Sequence, residues 1–114
     1  KQKKQSQIER ITDLEGPLIG KAFPGRAAIL VKLLEVDQSV VSKVFEKPGS
    51  MKVGHMIPGT DIPIHSDEEL FGIITERKYI LNLAWHISSE IRDYLRAAGF
   101  NGEIIDIIDP EDFD

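Results

Sequence analysis

Leu18-Ile19-Gly20-Lys21-Ala22-Phe23-Pro24-Gly25-Arg26 is the stretch that decides the fold. Its first six residues predict a short strand, and Pro24-Gly25 punctuates it. Beyond the turn, Ala27, Leu30, Val31 and Leu34 recur at helical spacing, with Ile29 and Leu33 widening the apolar face. That pattern predicts a well-buried helix over residues 26–34. Residues 40–46 are β-branched and aromatic and predict a second strand. A strand, a turn, a helix and a strand in this order make a crossover unit, whose strands lie parallel.

The alternation continues outward from this unit. Residues 47–60 contain Pro48, Pro58, Gly49, Gly54 and Gly59 with almost no periodicity, a long loop of the kind that often carries function. Ile62-Pro63-Ile64 predicts a short strand, at an edge or a strand start because of its proline. Ser66-Asp67-Glu68-Glu69 is a capping box ahead of a short helix carrying Leu70, Phe71 and Ile74. Tyr79 to Ala84 predicts a buried strand around Asn82, which needs a partner if buried. Ile87, Ile91, Tyr94, Leu95 and Ala98 mark a helix, Gly99 stands at its left-handed end, and residues 103–108 form the last strand. On the N-terminal side, Ile8, Ile11 and Leu14 give residues 1–15 a sparse helical spacing, stopped by Gly16-Pro17. The lysine-rich start suggests a segment cut from something longer. The expected architecture is α/β: three layers, with a mostly parallel five-stranded sheet covered on both faces. The expected organisation is an N-terminal helix or linker over 1–15, one domain over 16–108 and an acidic tail over 109–114.

Composition narrows the function. The chain has 114 residues, enough for one domain, and 41% are hydrophobic, enough for one modest core. Fourteen Lys and Arg face nineteen Asp and Glu, a formal net charge of -5, which argues against a globally basic nucleic-acid binder. There is no cysteine, so no disulfide framework, cysteine zinc site or thiol nucleophile lies within these residues. No apolar run approaches the ~20 residues that span a bilayer, and no signal-peptide pattern is present. These features predict a cytoplasmic protein with no membrane and no nucleic-acid partner.

Three places could hold chemistry. The turn of residues 20–26 would set free backbone N–H groups at a helix N-terminus, where Arg26 could grip a phosphate. Read alone, it is better explained by an ordinary strand-to-helix turn with an exposed Arg, because Ala22 and Pro24 depart from the dinucleotide-binding glycine pattern. Six basic residues against three acidic ones between Lys21 and Lys52 make that region locally positive. The second place is Pro58-Gly59-Thr60, a turn signal with short polar groups beside a strand end, which local chemistry alone reads as a structural turn. The third is Trp85-His86 at the carboxyl end of a core strand, offering an indole N–H and a possible base. The bland alternatives there are a packing Trp and a helix-start His. His55, His65 and His86 lack ligand spacing, so no metal site is expected. No catalytic motif emerges, and no catalytic residue is assigned.

Lys52-Val53-Gly54-His55-Met56-Ile57-Pro58-Gly59-Thr60-Asp61-Ile62-Pro63-Ile64, Leu83-Ala84-Trp85 and Glu90-Ile91, together with the first glycine turn, resemble the C-terminal domain of SAM-dependent sugar C-methyltransferases. The likeness covers roughly residues 16–108. It implies a Rossmann-like domain that helps enclose a nucleotide-linked deoxysugar. It places Gly20, Ala22, Gly25 and Arg26 on the family's first turn, Pro58, Gly59 and Thr60 on its second loop, and Trp85 and His86 on its third. Ala22 stands for a glycine, Pro24 for a small polar residue, and His86 for an asparagine. Phe45-Glu46-Lys47 lacks the family's usual Asp after strand two, with Glu46 the candidate substitute. The resemblance implies a substrate-positioning domain that is inactive alone. It implies no cofactor in these residues, with S-adenosylmethionine on a separate methyltransferase domain in cis or in trans. The alternative is a stand-alone α/β nucleotide-binding or protein-interaction module without catalytic activity.

Overall fold

In the computed structural model the described residues are 2–22, 29, 31–32 and 34–108. Gly25 and Arg26 of the expected first turn, and the acidic tail from residue 109, lie outside them. The described elements are α1 (Gln2–Glu15), β1 (Leu18–Lys21), β2 (Val41–Glu46), β3 (Ile64–Ser66), α2 (Asp67–Phe71), a 3-10 turn at Ile74–Glu76, β4 (Tyr79–Asn82), a 3-10 turn at Trp85–Ile87, α3 (Ser88–Ala97) and β5 (Glu103–Asp106). Ile29, Val31 and Lys32 also have helical backbone, between β1 and β2.

The five strands form one parallel sheet in the order β3-β2-β1-β4-β5. β1 is central and buried at every position, as a strand covered on both faces must be. Side chains alternate between the faces, and each face has its own core. Leu18, Val41, Val44, Leu81 and Ile105 pack on one face with Ile8 of α1, Val31, Leu34, Ile57 and Ile62. Ile19, Phe45, Ile80 and Ile104 pack on the other with Leu70 of α2, Ile74, and Ile91 and Leu95 of α3. This is the expected α/β Rossmann-like sandwich.

Local chemistry sets the element ends. β4 stops at Asn82, short of the expected Ala84, because the Asn82 carboxamide oxygen accepts from the Ala84 N–H at 2.9 Å and bends the chain. Asn82 also finds the partner its burial demands, donating to Asp106 at 2.8 Å. Ser88 and Arg92 of α3 bond the same carboxylate. Pro63 precedes the edge strand β3; it offers no N–H, but its carbonyl accepts from Val44 of β2 at 3.0 Å. Only half of the expected capping box forms. Ser66 Oγ accepts from the Glu68 N–H, while the Glu69 carboxylate pairs with His65 Nδ1 at 3.0 Å instead of reaching back. Gly99 follows α3 with φ +101, the left-handed exit its position suggested. α1 is more firmly held than its sparse apolar spacing implies: Ile8 is buried in the core, and the Lys4 stem is covered too.

β5 is seated by close backbone approach. A Cβ on Gly102 would lie 2.2 Å from the Lys78 carbonyl oxygen, the same carbonyl that accepts from Glu103 N–H at 2.8 Å. Gly102→Ala is therefore expected to displace β5 and to destabilise the fold by at least about 1–3 kcal/mol, the usual cost of overpacking. Urea unfolding of the two proteins measures it; equal midpoints would contradict this packing.

Candidate functional site

The strand order reverses between β1, which leads back through β2, and β4, which leads to the opposite edge. Beyond the carboxyl ends of these strands an open α/β sheet leaves a crevice. A cleft of about 370 Å³ lies there, and its described lining comes from the ends of three strands and from α3. Lys21 ends β1 and Ala22 follows it, Glu46 ends β2 and Lys47 follows it, Ala84 and His86 follow β4, and Glu90, Ile91 and Tyr94 belong to α3. Lys52 reaches the lining from the long loop.

Ala22 occupies the left-handed region, φ +67, and its N–H donates to the Phe45 carbonyl at 2.7 Å. The chain thus adopts at an alanine the conformation that glycine enters without strain. Gly20 serves packing: a Cβ there would come within 2.9 Å of Val44 Cγ2. His86 is exposed on the cleft wall, and the half-buried Trp85 meets it edge-on, ring centroids 5.7 Å apart.

Pro58, Gly59 and Thr60 are not among the described residues of the cleft lining. They close a tight hairpin on the other face of the sheet. Met56 bridges Pro63, Ile57 N–H donates to Ile62 O at 2.9 Å, and Ile57 and Ile62 are buried in that face's core. Gly59 supplies the positive φ of +80 that the turn requires. The Thr60 hydroxyl is used inside the turn, donating to Ile57 O at 2.8 Å and accepting from Ile62 N–H at 3.1 Å.

Electrostatics concentrate at the cleft floor. Lys21 and Asp67, each almost fully buried, pair at 2.7 Å. The Tyr94 hydroxyl donates to the same Asp67 oxygen at 2.7 Å, and the Lys21 ammonium stands 5.0 Å from the Tyr94 ring centroid. Burial, and then the adjacent Asp67 carboxylate, push the Tyr94 phenol above its ordinary range. The sequence reading missed this cluster. Its signal was the two-residue period of β1, which puts Lys21 on the same face as buried Ile19. Asp67 stood only as an inner residue of the Ser66-Asp67-Glu68-Glu69 capping box.

Residues 1–108 match the family described as C-methyltransferase C-terminal domain. The chain belongs to that family. The match takes in α1 together with the whole sheet of this C-methyltransferase C-terminal domain. No curated protein matches the chain in sequence. Among the described residues no helix is long and apolar enough to cross a membrane, and no three His, Asp or Glu side chains gather as a metal site.

Lys21→Met leaves the Asp67 charge buried without its partner and is expected to destabilise the domain by about 3–5 kcal/mol, whereas Lys21→Met with Asp67→Leu recovers most of that loss. A double-mutant cycle of urea midpoints measures the coupling, and additive losses would contradict it. Tyr94 carries a phenol whose folded-state titration lies above that of the unfolded chain, near pH 10. The stability this contributes is fully present below that pH and falls as pH rises toward the folded value. Unfolding midpoints between pH 9 and 12 should therefore fall more steeply for the wild type than for Tyr94→Phe.

Proposed function

We propose that this domain positions the nucleotide-sugar substrate of a SAM-dependent C-methyltransferase acting on a deoxysugar carried by a nucleoside diphosphate. The observation that carries this reading is the location of the cleft. It lies at the reversal point of an open parallel sheet, where such folds bind ligands, in a chain of the C-methyltransferase C-terminal domain family. Lys47 and Lys52 on its lining suit an anionic diphosphate. Ala22 and His86 are the expected contact residues on its walls, and Gly25 and Arg26 follow Ala22 in the chain. Trp85 backs His86. Gly20 and the turn at 58–60 act by holding the sheet and its opposite face in place.

S-adenosylmethionine would supply the methyl group from a separate domain. The residues described here bind and orient; their contribution to rate is proximity.

Uridine and thymidine diphosphates at millimolar concentration are expected to raise the melting temperature of the chain, since a ligand of the native state stabilises by mass action. Arg26→Ala and His86→Ala should each shrink the shift. Unchanged melting with both nucleotides would overturn the proposal.

A further inference from the structure

The floor of the cleft carries groups to which nucleotide binding assigns no role. The Lys21 ammonium has three N–H donors, and among the described residues its acceptor is Asp67 Oδ2. Tyr94 Oη donates to that same oxygen, so Nζ and Oη lie no further apart than twice 2.7 Å. Both residues line the cleft. Asp67 is fully buried, and its second oxygen has no hydrogen-bond partner among the described residues. Stability alone explains this poorly. A well-packed apolar pair would serve about as well as a buried ion pair, and an unsatisfied buried oxygen is unfavourable. A half-satisfied polar cluster opening on a cleft wall is where function is to be sought.

What the cluster still offers is specific. Asp67 cancels the charge of Lys21, so the floor is locally neutral and has little preference for an oxyanion. Two capacities are left: N–H donors on Nζ, and a lone pair on Oη, whose proton is directed at Asp67. A hydroxyl group answers both, because it accepts from Nζ and donates to Oη. A phosphate oxyanion cannot donate. Ala84, Ile87 and Ile91 line the cleft beside these groups and suit the C–H face of a sugar ring.

We infer that Lys21 and Tyr94 form a hydroxyl-recognition site that seats a furanose or pyranose ring of the ligand, with Asp67 as the positioning residue that aims both. The inference rests on the nucleotide-sugar reading and deepens it: the ring goes to the floor, and the diphosphate goes outward toward Lys47 and Lys52.

The test is calorimetric titration of wild type, Tyr94→Phe and the Lys21→Met/Asp67→Asn double variant with three probes. These are uridine diphosphate glucose, uridine diphosphate, and 2′,3′-dideoxyuridine diphosphate. Each variant is expected to lose about tenfold in affinity for a hydroxylated probe, the worth of a hydrogen bond, with the dideoxy probe essentially unchanged. A loss already present with uridine diphosphate assigns the site to the ribose, and one confined to the glucose conjugate assigns it to the sugar; both support the site. Equal losses on all three probes, or none while wild type still binds, overturn the hydroxyl site and leave the nucleotide reading standing. Failure of folded wild type to bind any probe overturns both. Tyr94→Phe keeps the ion pair, so it decides the matter even if the double variant does not fold.

Discussion

The pair between Lys21 and Asp67 is the constraint around which one half of the molecule is arranged. It joins the last residue of the central strand to the first residue of α2, across the end of β2. Two charges sit in a layer otherwise built from Ile19, Phe45, Leu70, Ile80 and Leu95. Neither tolerates burial without the other, so α2 cannot slide along the sheet without stranding a charge. Tyr94 brings α3 to the same oxygen. One carboxylate therefore fixes the central strand and both helices of that face, and the cleft wall is made of what it fixes.

The two faces divide the work. The described core of the face packed by α1, Ile57 and Ile62 is apolar, and the hairpin at residues 54–64 is pinned into it by buried isoleucines and by backbone bonds within the turn. The opposite face admits charge at its carboxyl edge. A second polar cluster, in which Asn82, Ser88 and Arg92 converge on Asp106, ties the end of β4 and the start of α3 to β5. It holds the segment bearing Trp85 and His86 from behind. The mobile part of such a site would then be long surface side chains such as Lys47, while the frame beneath is held by partly or fully buried polar bonds.

Strand-helix alternation made the architecture legible, because β1, β4 and β5 are short apolar runs between helical patterns and a parallel sheet buries both faces. Element ends were less legible. Asn82 ends β4 through its own side chain, and His65 draws Glu69 away from the capping box; neither competition has a signature in hydrophobic period. The site was legible only in part. Ala22 and His86 stand on the cleft, while Pro58-Gly59-Thr60, which local chemistry alone reads as a structural turn, folds as a turn on the other face. Motifs of glycine and proline report backbone geometry first, and a turn needs them whether or not a ligand is near. The floor cluster escaped because its members lie far apart in sequence, at 21, 67 and 94, and meet only through the sheet.

On the proposed reading, a domain that only positions the substrate can still govern a methyl transfer. Binding interactions made far from the reacting carbon lower the barrier when they fix the substrate in the geometry of the transition state. On the proposed reading the distance from floor to reacting carbon is set by the ring seated against Lys21 and Tyr94, and their rigidity then matters as much as their affinity. That rigidity has a visible source. Both side chains end on one buried carboxylate, whose own backbone begins a helix capped by Ser66. A ring held by such a floor has little freedom to tilt, whereas a diphosphate held by long lysine side chains has much. Orientation would therefore come from the neutral floor and capture from the charged rim, so the residues that attract the ligand and those that aim it need not be the same.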